Sequence, residues 1–388
     1  MPTKLSDAHK NVLNLCLIAV VAALIYSNSF QTTFHFDDVH SIIENYAIHR
    51  FDVRGILSAS PRPVLDLTFA LNYYFGKLDV FGYHLVNLIL HIANGILLYF
   101  ILLWTLHPAK NGRKRDGQTD FRVPLYAGLL FIAHPLQTQA VTYIVSRSSV
   151  MATTFYLLSL LLFIGAYRYS RPLPFLAGAF VASCLGMGTK QETATLPLML
   201  VIYDYYFISD GELKTVKRHY KAHLAMWATL AVVLYINFHG INEFVSFDSA
   251  KGVKMPQGDA ITSFQYFLTQ LHVIPYYIKL LFLPINLNLD YDWPITRQID
   301  LPTVLYFFLL AAIIALAVKL FRKERLISFG IIWFFVTLSV TSSFLVIYDM
   351  IFEHRLYLPS IGFAAIIAVL ISKISGLRSG EKVKQARR

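Results

Sequence analysis

Charge is what this 388-residue sequence has least of: Asp, Glu, Lys and Arg together make up 15%, against roughly a quarter in an ordinary soluble domain. Hydrophobic residues make up 56%, a balance that argues against a soluble enzyme. Cysteine is almost missing, with Cys16 and Cys184 alone and both inside apolar runs. That leaves no disulfide framework and no cysteine metal site. No P-loop, dinucleotide fingerprint or HExxH motif occurs, which argues against ATP as fuel, a nicotinamide cofactor and a zincin mechanism. Strict in/out alternation over about ten residues is also lacking in runs such as FFLLAAIIALAV, so a transmembrane β-barrel is excluded.

What the sequence has instead is apolar runs of about twenty residues, among them 11–30, 84–106 and 301–320, each long enough to cross a hydrocarbon core of about 30 Å. The fold class this predicts is an all-α polytopic membrane protein. The first run lacks a convincing small-residue cleavage site and reads as a retained span rather than a secretory signal. The net charge of +11 is gathered at 110–115, 214–221 and 322–325 and in a basic tail at 374–388. Basic segments between apolar runs mark the cytoplasmic side, so the charge reflects membrane topology and not nucleic acid.

Starting inside, crossings at 11–30, 84–106, 122–134, 148–167, 172–188, 193–208 and 223–239 alternate normally. Working back from the basic tail, 353–360 lies outside, 322–325 inside and 286–300 outside. The segment 263–285, with Gln265, Gln270, His272 and Pro275, then begins and ends outside and is expected to be a re-entrant or surface-lying helical pair. The total is ten spans, or eleven if a loop assignment changes, in one domain over 1–388. On this topology the inner side carries 23 of the 34 Lys+Arg and 8 of the 23 Asp+Glu, leaving 11 and 15 outside. The outer excess of acids agrees with these spans.

The first outer loop, 31–83, is longer than a connection needs, which usually signals function. It opens with FHFDD, setting Asp37 and Asp38 where water meets lipid. A carboxylate there suits general-base removal of a hydroxyl proton, and neighbours about 100° apart on a helix would not both face one substrate. Paired acids that merely cap a surface helix remain the alternative. The rest of the loop resembles an interfacial amphipathic helix running into the second span. His84, Asn87, His91 and Asn94 recur there at intervals of three and four, as one polar stripe. His84 and His91 stand about 10 Å apart along a helix, too far to share one ion, so interhelical hydrogen bonding is expected.

Further outer clusters hold His134, Gln137, Gln139 and Arg147, then Lys190 with Glu192, then Glu353, His354 and Arg355. Cations at the membrane surface can hold a phosphate leaving group or simply snorkel to headgroups. Asp290 and Asp292 are either solvated or metal-binding.

Six motifs in order, FHFDD, RPVLDLTFALNYYFG, GYHLVNLILHIANGILL, HPLQTQAVTYIVSR, LGMGTKQETATLPLMLVIYDYYF and EHRLYLPSIGF, closely resemble the membrane half of the transmembrane and tetratricopeptide-repeat O-mannosyltransferases and their shorter bacterial relatives. The resemblance covers nearly the whole chain and implies a GT-C-like bundle. It implies a polyprenyl- or dolichyl-phosphate sugar donor, transfer on the outer or lumenal face, and an integral, multi-pass place in a bacterial inner membrane with the site facing the periplasm or exterior. By the same resemblance Asp37 or Asp38 supplies the catalytic carboxylate, Asp37 being preferred, while His134 and Pro135, Lys190 and Glu192, and Glu353 and Arg355 match further motif positions. The sequence departs from the pattern at Gln139, where relatives often carry glutamate, and at Ser149, where they often carry an acid two residues after the arginine. A bound divalent cation is therefore less expected, though possible. No tetratricopeptide array occurs in these residues, so acceptor recognition must differ or come from another protein.

The function expected is an inverting membrane glycosyltransferase acting on a protein, glycan or lipid hydroxyl, with membrane lipids and no nucleic acid as partners. Arg62, Arg147, Lys190 and Arg355 are candidates to hold the leaving phosphate. The rivals are a flippase for a lipid-linked sugar, which would want charges near mid-membrane or an internal repeat, and a non-catalytic scaffold derived from an enzyme.

Overall fold

A computed structural model describes residues 6–107, 109–110, 113–114, 120–240, 253–254, 260–347 and 349–385. The expected basic segments 110–115 and 374–388 lie partly outside the described residues. Seventeen α-helices and six short 3₁₀- or π-helical turns are described, with two-residue antiparallel ladders the sole strand pairing among the described residues, Ala109–Lys110 with Arg113–Lys114 and Val253–Lys254 with Ala260–Ile261. Helix α1 is Asp7–Ile25, and the first long loop folds as α2 (Tyr46–His49), α3 (Val53–Ala59) and α4 (Pro63–Gly76) before α5 (Val80–Leu106). Then follow α6 (Arg122–Ala133), α7 (Gln137–Thr142), α8 (Arg147–Arg168), α9 (Pro172–Met187) and α10 (Leu196–Tyr203). The second half comprises α11 (Leu213–Arg218), α12 (Tyr220–Ala228), α13 (Leu230–Gly240), α14 (Ser263–Phe282), α15 (Leu301–Leu320), α16 (Arg325–Leu338) and α17 (Ser360–Gln385).

The chain is thus an all-α protein with the apolar helices of a membrane protein. Among the described residues, four stretches are both long and apolar enough to cross a bilayer: Asp7–Ile25, Val80–Leu106, Ile144–Arg168 and Leu301–Leu320. The other expected crossings fall on helices that are shorter, interrupted or, in α17, apolar over the shorter stretch Ser360–Ser375. Helix α6 has 12 residues and α16 has 14, α10 passes into a π-helical turn at Asp204–Ile208, and α12 and α13 are separate pieces.

Local chemistry explains the boundaries. Ser6 caps α1 by accepting from the His9 N–H, and Asp79 caps α5 by accepting from Phe81 at 3.1 Å. The expected run from the loop helix into the second span is broken. Lys77 adopts φ 52°, left-handed backbone that cannot continue a helix, so α4 and α5 are distinct. At 263–285 the expected helical pair is instead one helix, α14, started by a capping box between Thr262 and Gln265. Pro275 sits inside it, costing one backbone hydrogen bond without ending it.

The core joins α5, α6, α8 and α17, with α1 against α6 and α9 against α8. Helices α16 and α17 cross at Gly330 and Gly362, where a Cβ on either would meet the other's backbone at under 3 Å. The polar stripe of α5 is buried and bonds outward to other elements, as expected. His84 Nε2 lies 2.8 Å from Thr32 O, and His91 Nδ1 lies 2.6 Å from Tyr357 Oη. Asn87 donates to Val141 O at 3.2 Å, and Asn94 to Val150 O at 2.9 Å. In an apolar setting such bonds tie helices together because their donors have no water to turn to.

Candidate active site

A cleft of about 420 Å³ opens among the first loop, the turn before α8, the turn between α9 and α10 and the irregular segment before α17. That is a volume typical of small-ligand pockets, roughly 300–1,000 Å³. Its charged lining is balanced: Asp37, Glu192 and Asp349 face the same space as Arg62, Lys190 and Arg355. Six ionisable groups from four distant stretches of sequence therefore converge on one cavity.

The two adjacent acids part company. Asp37 is exposed to the cleft, and its backbone N–H donates to Tyr143 Oη at 2.9 Å. Asp38 is fully buried. Its Oδ1 accepts from the Val145 N–H at 2.8 Å and its Oδ2 from the His35 N–H at 3.2 Å. It thus staples the first loop to the turn before α8.

Burial pushes the Asp38 carboxyl up to about 6, with the His35 and Val145 N–H groups opposing. A pKa near neutrality is what a general base wants, but geometry comes first, and Asp38 does not line the cleft. The raised value has a consequence for stability. The folded state holds the proton more tightly than the unfolded chain, so Asp38's contribution is full below about pH 4 and is lost as the pH rises through about 6. The melting temperature in detergent is expected to fall across this window, by the equivalent of on the order of 3 kcal/mol. Asp38→Asn should flatten that slope; an unchanged slope in the variant would remove Asp38 as its source.

Lys190 and Glu192 lie at the turn between α9 and α10. Lys190 Nζ stands 2.8 Å from Glu192 Oε1 and donates to Ser149 Oγ at 2.7 Å. Both side chains are almost wholly buried, at 7% and 5% exposure. Burial lowers the Lys190 ammonium from its ordinary value while Glu192 pulls the other way. Arg355 follows Phe352 in a 3₁₀ turn, with its guanidinium over that ring at 5.6 Å. His354 also lines the cleft, stacked on Phe352 with centroids 4.9 Å apart. Burial drives its imidazole well below the ordinary value, helped by Lys190, Arg355 and Arg62.

Besides Asp38, three residues expected at the site stand elsewhere. Arg147 is fully buried behind the cleft wall. It donates to Asn87 Oδ1 (2.7 Å), Asn72 Oδ1 (2.7 Å), Thr68 Oγ1 (3.2 Å) and Tyr83 O (3.0 Å), and it stacks over Phe69 at 4.5 Å. Those acceptors belong to α4 and α5, so Arg147 clamps the first loop onto the bundle. His134 bridges α6 to α14, with Nε2 3.0 Å from Leu281 O. Glu353 points away from the cleft, and its Oε1 accepts from the Asn288 N–H and Tyr291 Oη, each at 2.6 Å. That pins the loop carrying the exposed Asp290 and Asp292.

The two departures from the family pattern also find structural partners. Gln139 donates to Leu289 O at 2.7 Å and accepts from the His354 N–H at 2.6 Å, while Ser149 receives Lys190. Sequence reasoning missed Asp349. It lines the cleft, and burial raises its carboxyl, with Arg355 opposing and Asp37 and Asp290 adding to the rise. The available signal was an acid in a segment without helical periodicity, four residues before Glu353. Among the described residues no three His, Cys, Asp or Glu side chains form a metal-holding group.

Fold and cleft together define a class: an all-α membrane protein with a mixed acidic and basic cavity at one end of its helices. Within that class the chain is similar to protein O-mannosyl-transferases. One from Caenorhabditis elegans is 26% identical over 392 residues, covering 94% of this chain and 52% of that protein. Protein O-mannosyl-transferase tmtc2 of Xenopus laevis is 32% identical over 217 residues, 49% of this chain and 24% of its own length. Human TMTC4 is 30% identical over 173 residues, or 40% and 23%. The chain spans about half the length of the first of these relatives and about a quarter of the others. No family model and no solved structure matches it. The resemblance carried by the six motifs is thus borne out by relatives of that same family.

Proposed function

We propose that this protein is an inverting membrane glycosyltransferase with a polyprenyl-phosphate sugar as donor, built as a GT-C-like bundle of ten crossings with the cleft facing the periplasm or exterior. The observation that carries the reading is the cleft itself, where the exposed carboxylate of Asp37 shares a cavity with Arg62, Lys190 and Arg355. Asp37 takes the proton from an acceptor hydroxyl as its oxygen attacks the anomeric carbon, and the bond from that carbon to the phosphate oxygen breaks. A single displacement inverts the centre. The lipid phosphate leaves with its charge held by the three cations, which a largely buried site makes more effective than water would. The relatives' names make mannose and a protein hydroxyl the first pair to test.

The test is transfer from a panel of radiolabelled polyprenyl-phosphate sugars to membrane extracts by the purified chain. A labelled product supports the reading; no product from any donor, despite measurable donor binding, would favour the flippase or the scaffold. Lys190→Gln and Arg355→Gln should each weaken donor binding or slow transfer by about tenfold or more, the scale of one charge-assisted hydrogen bond. Normal kinetics would release that residue from the phosphate site. Since the protein's own cations do this work, chelation with EDTA is expected to leave the rate unchanged.

A further inference from the structure

A second cavity, of about 380 Å³, lies at the far end of the same helices. Helix α8 begins between Ser146 and Ser148 of the cleft and ends at Tyr167 and Arg168 of this cavity, and α10 runs from beyond Glu192 to Tyr203. The 22 residues of α8 rise about 33 Å, one hydrocarbon thickness. A ligand here therefore sits in the opposite leaflet from one in the cleft.

The mouth of the cavity is polar and its walls are apolar. Arg168 gives one Nη1 bond to His107 O at 2.7 Å and lies over the Trp104 ring at 5.3 Å. Among the described residues its Nε and Nη2 make no bond. His219 lines the same space, its Nδ1 2.8 Å from Asp204 Oδ2 and its ring 4.4 Å from that of Tyr167. Asp204 is fully buried behind it, its oxygens also engaged by His223 Nε2 at 2.7 Å and Ser209 Oγ at 2.6 Å. A carboxylate on Nδ1 fixes the ring and leaves the Nε2 edge for another partner. Ile164, Phe207 and Ile208 supply the apolar walls. Around the mouth, α11 and α12 expose Lys214, Lys217, Arg218 and Lys221 beside exposed Leu213, Tyr220 and Leu224. Mixed basic and apolar exposure of this kind is the signature of a segment lying on an anionic bilayer surface.

We propose that this cavity binds a phosphate ester, that of an anionic phospholipid headgroup in the leaflet opposite the cleft, through the Arg168 fork and the Nε2 edge of His219. The planar guanidinium suits two phosphate oxygens at once, and the apolar walls receive the start of the lipid's tail. The site needs no sugar donor and stands apart from the transfer reaction.

The test is native mass spectrometry of the full chain in detergent with equimolar phosphatidylglycerol and phosphatidylcholine, and separately with inorganic phosphate. The wild type should retain phosphatidylglycerol in preference. Arg168→Gln should lower that retention roughly tenfold, His219→Gln should lower it less, and Arg168→Lys should keep part of it. Displacement of the lipid by millimolar phosphate would support phosphate recognition with a soluble source. Equal retention of the two lipids, or undiminished phosphatidylglycerol on every variant, overturns the proposal. If Arg168→Gln fails to fold by thermal melting, Arg168→Lys and His219→Gln carry the comparison.

Discussion

Asp37→Asn is expected to lower sugar transfer by at least about 100-fold, the usual contribution of a positioned general base, while the melting temperature stays near that of the wild type. The amide keeps the size and shape of the side chain but cannot accept the acceptor's proton. Because Asp37 is exposed to the cleft and its backbone N–H bonds to Tyr143, the exchange leaves the surrounding hydrogen bonds of the main chain in place. Asp38→Asn should leave transfer near the wild-type rate, because Asp38 is buried and does not line the cleft. Full activity in Asp37→Asn with loss in Asp38→Asn would move the base to Asp38, and full activity in both would sink the carboxylate mechanism.

Arg147→Met is expected to be among the most damaging single changes to stability, costing about 3 kcal/mol or more and reducing the yield of folded protein. The guanidinium is enclosed and meets four acceptors on α4 and α5. Removing it strands the Asn72 and Asn87 side-chain oxygens without their donor, and each unmet group costs about 1–3 kcal/mol. Arg147→Lys keeps the charge but not the fork, and should recover only part of the loss. Melting temperature in detergent and size-exclusion yield are the readouts. A well-folded Arg147→Met protein with weakened donor binding would return Arg147 to the phosphate site and contradict the clamp.

Both outcomes turn on a distinction that local sequence does not encode. Asp37 and Asp38 are chemically identical neighbours, and either fits a base or a cap. The choice was made by Val145, more than a hundred residues on, whose N–H claims Asp38 and leaves its neighbour to the cleft. In the same way Arg147, His134 and Glu353 had the residue type and position of ligand-binding groups. Their partners on α4, α5, α14 and the 288–291 loop consumed them instead. Asp349 went unnoticed because nothing periodic surrounds it, and only the convergence of the segment before α17 on the turn between α9 and α10 brings it to the cleft.

What the sequence by itself determined is the part governed by short-range physics. Low charge and twenty-residue apolar runs dictate membrane helices, because a backbone in hydrocarbon must satisfy its own hydrogen bonds. Helical spacing alone put His84, Asn87, His91 and Asn94 on one face and made interhelical bonding their destiny. The tertiary structure decided which of the polar groups at the helix ends face the cavity and which are spent holding its walls. The reason is that a buried polar side chain goes to whichever acceptor or donor long-range packing sets beside it, and residues distant in sequence supply that partner.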